Sequence, residues 1–239
     1  MSEPMNILAF DTCFGACSVA VRLTAQSGEE RQAARFELRE TGHAEALIPM
    51  IRTVMAQTRA RFDDLDRIAV TAGPGTFTGT RTGVAAARGL ALATRLPLVG
   101  VSSLAVMAEG AVRQLAGDEP GEEMAVAVDA RRGQVYAQLF AREGLAARTE
   151  PMLLAYDEAA RLGGSGAIVF VGSGADMVAV EARRLGRIAR ALLPGLQPTA
   201  SDLAMMAGDL EPAAGPLHPM YLREADVTLA PVSPLPGGE

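Results

Sequence analysis

Two aspartates stand where carboxylates can act. Asp11 closes the apolar run Ile7-Leu8-Ala9-Phe10, and Asp129 closes the run from Met124 to Val128; a small-residue turn follows each. Carboxylates placed in this way can hold a hydrated magnesium ion beneath a nucleotide, because Mg²⁺ takes one or two carboxylates plus water. An Asx side chain at such a bend can equally cap the turn, and both readings stand on the residues alone. A third candidate is the loop Gly73-Pro74-Gly75-Thr76-Phe77-Thr78-Gly79, set between an apolar strand and a helix, where backbone amides and a helix N-terminus favour anions. It is not a dinucleotide fingerprint. The glycines run G-x-G-x-x-x-G, Pro74 withdraws an amide, and no acidic residue follows the next strand at the required distance.

Much chemistry is excluded. All 22 basic residues are arginine, so a phosphate-loop lysine, a kinase strand lysine and any Schiff-base mechanism are ruled out. His43 and His218 lie far apart, and Leu47 occupies the position one helical turn after His43, so no metal site is expected. Cys13 and Cys17, spaced C-x-x-x-C, form neither a zinc knuckle nor a redox pair and read as buried thiols. There is no G-x-S-x-G elbow. The net charge of -6 argues against autonomous binding of nucleic acid, which depends on neutralising phosphates.

The elements that must position these residues follow from periodicity. Strands are expected at Ile7–Asp11, Ser18–Leu23 and 32–39, then a helix from His43 to about Arg61, bent at Pro49 and striped by Leu47, Ile48, Ile51, Val54, Met55 and Thr58. A strand at 68–71 enters the glycine loop and a small-residue helix over 79–95, and Leu98–Val101 forms another strand. The pattern then repeats. Phe10, Asp11 and Gly15 align with Val128, Asp129 and Gly133, and Ile168-Val169-Phe170-Val171 enters Gly172-Ser173-Gly174 as Ile68 to Thr71 enters its own G-x-G. This predicts a duplicated α/β lobe with a mixed sheet. Within the small-residue helix, Gly79, Gly83, Ala87 and Ala91 recur every fourth residue. Two interior glycines cost about 1 kcal/mol each against alanine and need a steric reason. The strip packs either against this chain's own elements or against another chain.

Taken together, Ile7-Leu8-Ala9-Phe10-Asp11-Thr12, His43-Ala44-Glu45, Gly73-Pro74-Gly75-Thr76-Phe77-Thr78-Gly79-Thr80-Arg81, Val101-Ser102-Ser103-Leu104, Asp129-Ala130-Arg131-Arg132-Gly133 and Tyr221-Leu222-Arg223 resemble the TsaB (YeaZ-like) family. The resemblance implies an actin-like (ASKHA) fold of two ribonuclease-H-like lobes: residues 1–102 completed by a segment near 217–226, then 103–216, then a flexible tail over 227–239. It implies a role in N6-threonylcarbamoyladenosine modification of tRNA, with threonylcarbamoyl-adenylate made by a separate synthase as donor. The related catalytic subunit, TsaD, carries a metal-binding histidine pair after the strand that follows the G-P-G helix. Ser103 and Met107 stand at those positions here, so the resemblance implies a pseudoenzyme that needs no cofactor. Its implied partners are TsaD, docked through the first two helices; TsaE in the larger assembly; and a second copy when alone. The interface is then expected at Leu47, Ile48, Ile51, Val54, Met55, Gly79, Gly83, Ala87 and Ala91, and a vestigial nucleotide cleft at Asp11, Gly73, Gly75 and Asp129. With no apolar run approaching the roughly 18 residues of a membrane span, a cytoplasmic location is expected. The rival reading is a small actin-like ATPase or a glycopeptidase acting on its own.

Overall fold

The computed structural model describes residues 5–24, 28–115, 123–141 and 144–223. Strands β1 (Ile7–Asp11) and β4 (Arg67–Gly73) are buried along their whole length, as expected of central strands covered on both faces. β2 (Ala16–Thr24) pairs antiparallel with β1 and with β3 (Glu30–Leu38), while β5 (Leu98–Ser102) pairs parallel with β4. The sheet order is β3-β2-β1-β4-β5. The second sheet contains β6 (Glu123–Asp129), β7 (Gln134–Ala141), β8 (Met152–Ala155), β9 (Ile168–Val171) and β10 (Ala189–Leu192) in the order β8-β7-β6-β9-β10. Strand for strand this is the first order again, with the same parallel and antiparallel pairings. The duplication read from short motifs is therefore a duplication of topology, and the molecule has the two-lobed actin-like fold.

Helix α1 (His43–Thr58) lays Leu47, Met50, Ile51, Val54 and Met55 into the first core and ends one turn earlier than the sequence suggests, because Arg59 adopts a left-handed conformation and its amide turns back to the last carbonyls. Helix α2 (Phe77–Thr94) begins at Thr76, whose hydroxyl accepts the Gly79 amide at 3.2 Å. In the second lobe α4 (Tyr156–Ala159) and α5 (Ala175–Arg184) take the corresponding places.

Helices α3 and α6 pack in the region between the two sheets. Helix α3 (Ser103–Gln114), which opens the expected second lobe, packs Leu104, Met107, Ala108 and Ala111 against Met124, Val126, Val128 and Phe140 of the second sheet, while its Val106 lies with Val99 and Val101 of the first. Helix α6 (Ala200–Met206) lies in the stretch that sequence reading gives to the second lobe, yet it packs Ala200, Leu203 and Ala204 on Ile7, Ala9, Ala20 and Ala69 of the first. The chain then stays with the first lobe: the Ala213 amide donates to the Leu98 carbonyl at 2.9 Å and the Met220 amide to the Ala72 carbonyl at 2.7 Å. Residues 116–122 and the expected tail at 227–239 lie outside the described residues.

The two helices are tied by one ion pair. Asp202, fully buried, accepts Arg113 Nε at 3.0 Å and Nη2 at 2.7 Å, and its other oxygen accepts the Thr199 hydroxyl at 2.6 Å. Charge-assisted bonds of this kind are worth about 1.5–3 kcal/mol each when a partner is removed. Asp202→Ala should therefore lower unfolding stability by roughly 2–3 kcal/mol, read from the urea midpoint. A midpoint equal to wild type would show that the tie carries no weight.

Candidate functional site

A cleft of about 890 Å³ opens between the lobes. One wall comes from the glycine loop and the start of α2 (Gly75, Thr76, Phe77), the other from the turn after β6 (Asp129, Ala130, Arg131) with Ser173 before α5, and the rim from Tyr221 and Arg223. The walls carry aromatic rings, and charges of both signs at Glu40, Asp129, Arg131 and Arg223. Phe14 and Tyr136 stand 6.4 Å apart, Phe77 and Tyr221 5.8 Å apart, and the Arg81 guanidinium lies 3.5 Å over the Phe77 ring. Arg223 reaches across to Gln134 of the second lobe at 2.7 Å.

Of the four residues expected in a nucleotide cleft, Gly75 and Asp129 line it. Asp129 Oδ1 accepts the Arg131 amide at 2.9 Å, so it also caps its own turn, while its amide donates to Ser173 Oγ at 3.0 Å. Asp11 and Gly73 do not line it. The carboxyl of Asp11 is sealed: Oδ1 accepts the Cys13 amide at 3.2 Å and the Thr71 hydroxyl, and Oδ2 is buried without a partner among the described residues. Burial pushes the Asp11 carboxyl up to about 7, against the pull of the Thr71 and Cys13 hydrogen bonds. Gly73, at φ +108°, lies under the strap at Met220, whose carbonyl oxygen would sit 2.8 Å from a Cβ there.

The two positions that would carry imidazoles in a TsaD-like site hold the interior together. Ser103, fully buried, donates to the Pro74 carbonyl at 2.5 Å and so anchors the glycine loop; Met107 is core of the second lobe. His43 is buried and its Nε2–H donates to the Phe14 carbonyl at 3.0 Å, so it braces the β1–β2 turn. Both cysteines are free and buried, and burial raises both thiols, Cys17 to about 12. Among the described residues no group of three His, Cys, Asp or Glu side chains converges as a metal site.

The expected docking stripe requires correction. Leu47, Ile51, Val54, Met55, Gly79, Gly83 and Ala87 are buried in this chain's own interior, and Ala91 is half-buried against it. Only Ile48 is open, at 46% exposure. A Cβ on Gly79 would fall on the Thr12 carbonyl oxygen, and one on Gly83 would lie 2.7 Å from Thr12 Oγ1, itself bonded to the Gly79 carbonyl at 2.7 Å. The glycines admit the backbone of the β1–β2 turn, not a foreign helix. The outward face of α2 has its own small-residue row at Ala85, Gly89 and Ala93, where nothing approaches the Gly89 Cβ position within 4 Å, beside Leu92 at 85% exposure. Between α1 and α2 runs a groove of about 370 Å³ walled by Ile48, Arg52, Phe62 and Leu90, with Ile51 and Met55 in its floor.

The family described as TsaD, tRNA N6-adenosine threonylcarbamoyltransferase, matches residues 37–171. The tRNA threonylcarbamoyladenosine biosynthesis protein TsaB of Escherichia coli K12 is 37% identical over 139 residues, 58% of this chain and 56% of that protein. A solved structure titled YeaZ from Pseudomonas aeruginosa is 30% identical with a TM-score of 0.72, covering 85% of this chain and 91% of that one. The chain belongs to the TsaB/YeaZ family. A second Pseudomonas aeruginosa structure, described as similar to peptidase YEAZ, superposes with a TM-score of 0.76 at 29% identity over 92% of this chain. The chain spans little more than half the length of the curated TsaB relatives it matches. For a TsaB/YeaZ protein the G-P-G loop now has a structural account: its glycines and Ser103 seat α2 on the β1–β2 turn.

Sequence reasoning missed Phe14, Tyr136 and Gln197 as cleft residues, since nothing in their spacing marks them, and it noted Ser173 only as part of the repeated G-x-G turn. Tyr221 and Arg223 were visible only as part of a family motif; their place at the rim depends on the return of the chain to the first lobe.

Proposed function

We propose that this protein is a non-catalytic subunit that binds and activates a TsaD-type tRNA N6-adenosine threonylcarbamoyltransferase. The observation that carries the reading is that Ser103 and Met107 stand as buried structural groups where catalytic imidazoles would be needed. The curated relatives named for tRNA threonylcarbamoyladenosine biosynthesis support the pathway, and the net charge of -6 supports a partner that handles the tRNA. The partner docks on the outward side of α1 and α2, over Ile48, Arg52, Gly89 and Leu92, and TsaE joins the larger assembly.

Adding the purified protein to TsaD from the same source should raise threonylcarbamoyladenosine formation; equal rates with and without it would overturn the reading. The doubly substituted Ile48→Glu, Leu92→Glu chain should lose binding to TsaD by at least tenfold in a titration while its melting temperature stays within a degree or two, since both side chains are exposed. Unchanged binding would move the interface elsewhere.

The open cleft with Gly75 and Asp129 on its walls favours a second, narrower reading, a residual nucleotide site without turnover. ATP hydrolysis by the isolated protein should sit at background. Hydrolysis abolished by Asp129→Asn would favour the enzyme reading instead.

A further inference from the structure

Two hydrogen bonds span the cleft, and the internal repeat relates the turns that they hold. In the first lobe the amide of Gly15, in the β1–β2 turn, donates to Gln197 Oε1 at 3.1 Å. Gln197 lies in the connector from β10 to α6 and follows Leu196, which is buried with Met107 and Val128 in the core of the second sheet. In the second lobe Gln134 Oε1, at the end of the β6–β7 turn, accepts Arg223 Nη2 at 2.7 Å, and Arg223 belongs to the strap that runs back over the first lobe. Gly15 and Gly133 are equivalent in the repeat. The same turn in each lobe is therefore held by one side chain from the opposite side of the cleft.

Away from the cleft the halves are joined differently, by the packing of α3 and α6 and by the buried Asp202 with Arg113. In front, all four bonded residues are half-buried, and both acceptors are neutral amide oxygens, which hold less tightly than the carboxylate of an ion pair would. Bonds of this kind are the first to open in a native state.

The strap is itself clamped to α2. Arg81 Nε donates to the Tyr221 hydroxyl at 2.5 Å, and the Arg81 guanidinium lies 3.5 Å from the centroid of the Phe77 ring and 5.4 Å from that of Tyr221. Arg223 thus reaches the second lobe from a support fixed two residues earlier, on the first turns of α2.

We propose that Gln197 and Arg223 are two latches that set the width of the cleft, with α3 and α6 as the hinge behind it, and that the Arg81–Tyr221 clamp makes the start of α2 the lever of the second latch. A displacement of that end of α2 pulls on Tyr221 and frees Arg223, while Gln197, seated beside Leu196, stays in place. The device is complete within this chain and does not depend on the function proposed above.

The test is a distance measurement by pulsed electron paramagnetic resonance between spin labels at Ala44→Cys, in the first turn of α1, and Asp176→Cys, in the first turn of α5. Both sites are exposed, whereas Cys13 and Cys17 are buried and stay unlabelled. The chain carrying only the labels should give one narrow distribution. Adding Gln197→Ala with Arg223→Ala should at least double its width and move it to longer distance, and the Gly15 amide should exchange roughly fivefold faster. Arg81→Ala should broaden the distribution as far as Arg223→Ala alone does. In the Gln197→Ala chain, Gln134→Glu should restore the narrow distribution, because a carboxylate holds Arg223 as an ion pair, and such a gain of order does not come from a damaged fold. Identical distributions in the labelled chain and the double variant, or no narrowing by Gln134→Glu, would overturn the latches. Broadening by Arg223→Ala without broadening by Arg81→Ala would overturn the lever.

Discussion

Gly79→Ala and Gly83→Val should each cost this protein roughly 2–3 kcal/mol of stability, although alanine is the better helix former at any solvent-facing position. The reason is the approach of the β1–β2 turn. At Gly79 the obstacle is the Thr12 backbone carbonyl, which moves only if the turn moves, and at Gly83 it is the Thr12 hydroxyl, which is fixed by its bond to the Gly79 carbonyl. Gly89 on the same helix is the control. Nothing lies near its Cβ position and its backbone is ordinary helix, so Gly89→Ala should stabilise by about 0.5–1 kcal/mol. Urea denaturation of the three variants should give shifts of opposite sign. A Gly79→Ala midpoint matching that of Gly89→Ala would mean that the small-residue strip is not an internal seat. The same contrast guards the partner experiment, because lost TsaD binding in a Gly83 variant would report an unsettled fold rather than a blocked interface.

The second large effect is a dependence on pH. Asp11 is held near 7 in the folded chain and near 3.8 when free, so between these values the native state keeps a proton that the unfolded state has released. Stability from this group is therefore unaffected below about pH 4, falls as pH rises toward 7, and levels off above, the reverse of the usual buried carboxylate in an ion pair. At about 1.4 kcal/mol per pH unit across that window the total loss is on the order of a few kcal/mol. Asp11→Asn keeps an oxygen for the Thr71 hydroxyl and the Cys13 amide but cannot ionise. Its stability should lack that slope, so that the difference between variant and wild type grows from pH 4 to pH 7.5. Parallel curves for the two chains would show that Asp11 is solvated, and that its sealing behind the cleft wall is wrong.

How far the sequence carried the argument differs from element to element. Periodicity and turn residues located the central strands β1, β4, β6 and β9 to within a residue or two, because such strands are continuous apolar runs, and left the short edge strands β8 and β10 unread. The duplication was legible because Asp11 and Gly15 recur at the same spacing as Asp129 and Gly133, although the two turns differ in backbone, with left-handed residues at 131–133 and none at 12–15. The lack of lysine and of a histidine pair removed whole classes of chemistry with no reference to shape. Sequence could not say who approaches Gly79 and Gly83. A glycine every fourth residue records that something comes close, and the approaching backbone at Thr12 is 67 residues away in the chain. Nor could it place α6, which its position in the chain assigns to the second lobe but whose apolar face the fold sets on the first sheet. The two aspartates make the same point. Their local sequences are alike, but Asp11 is covered and Asp129 is open, because the elements packed over a turn, not the turn itself, decide whether a carboxylate meets water.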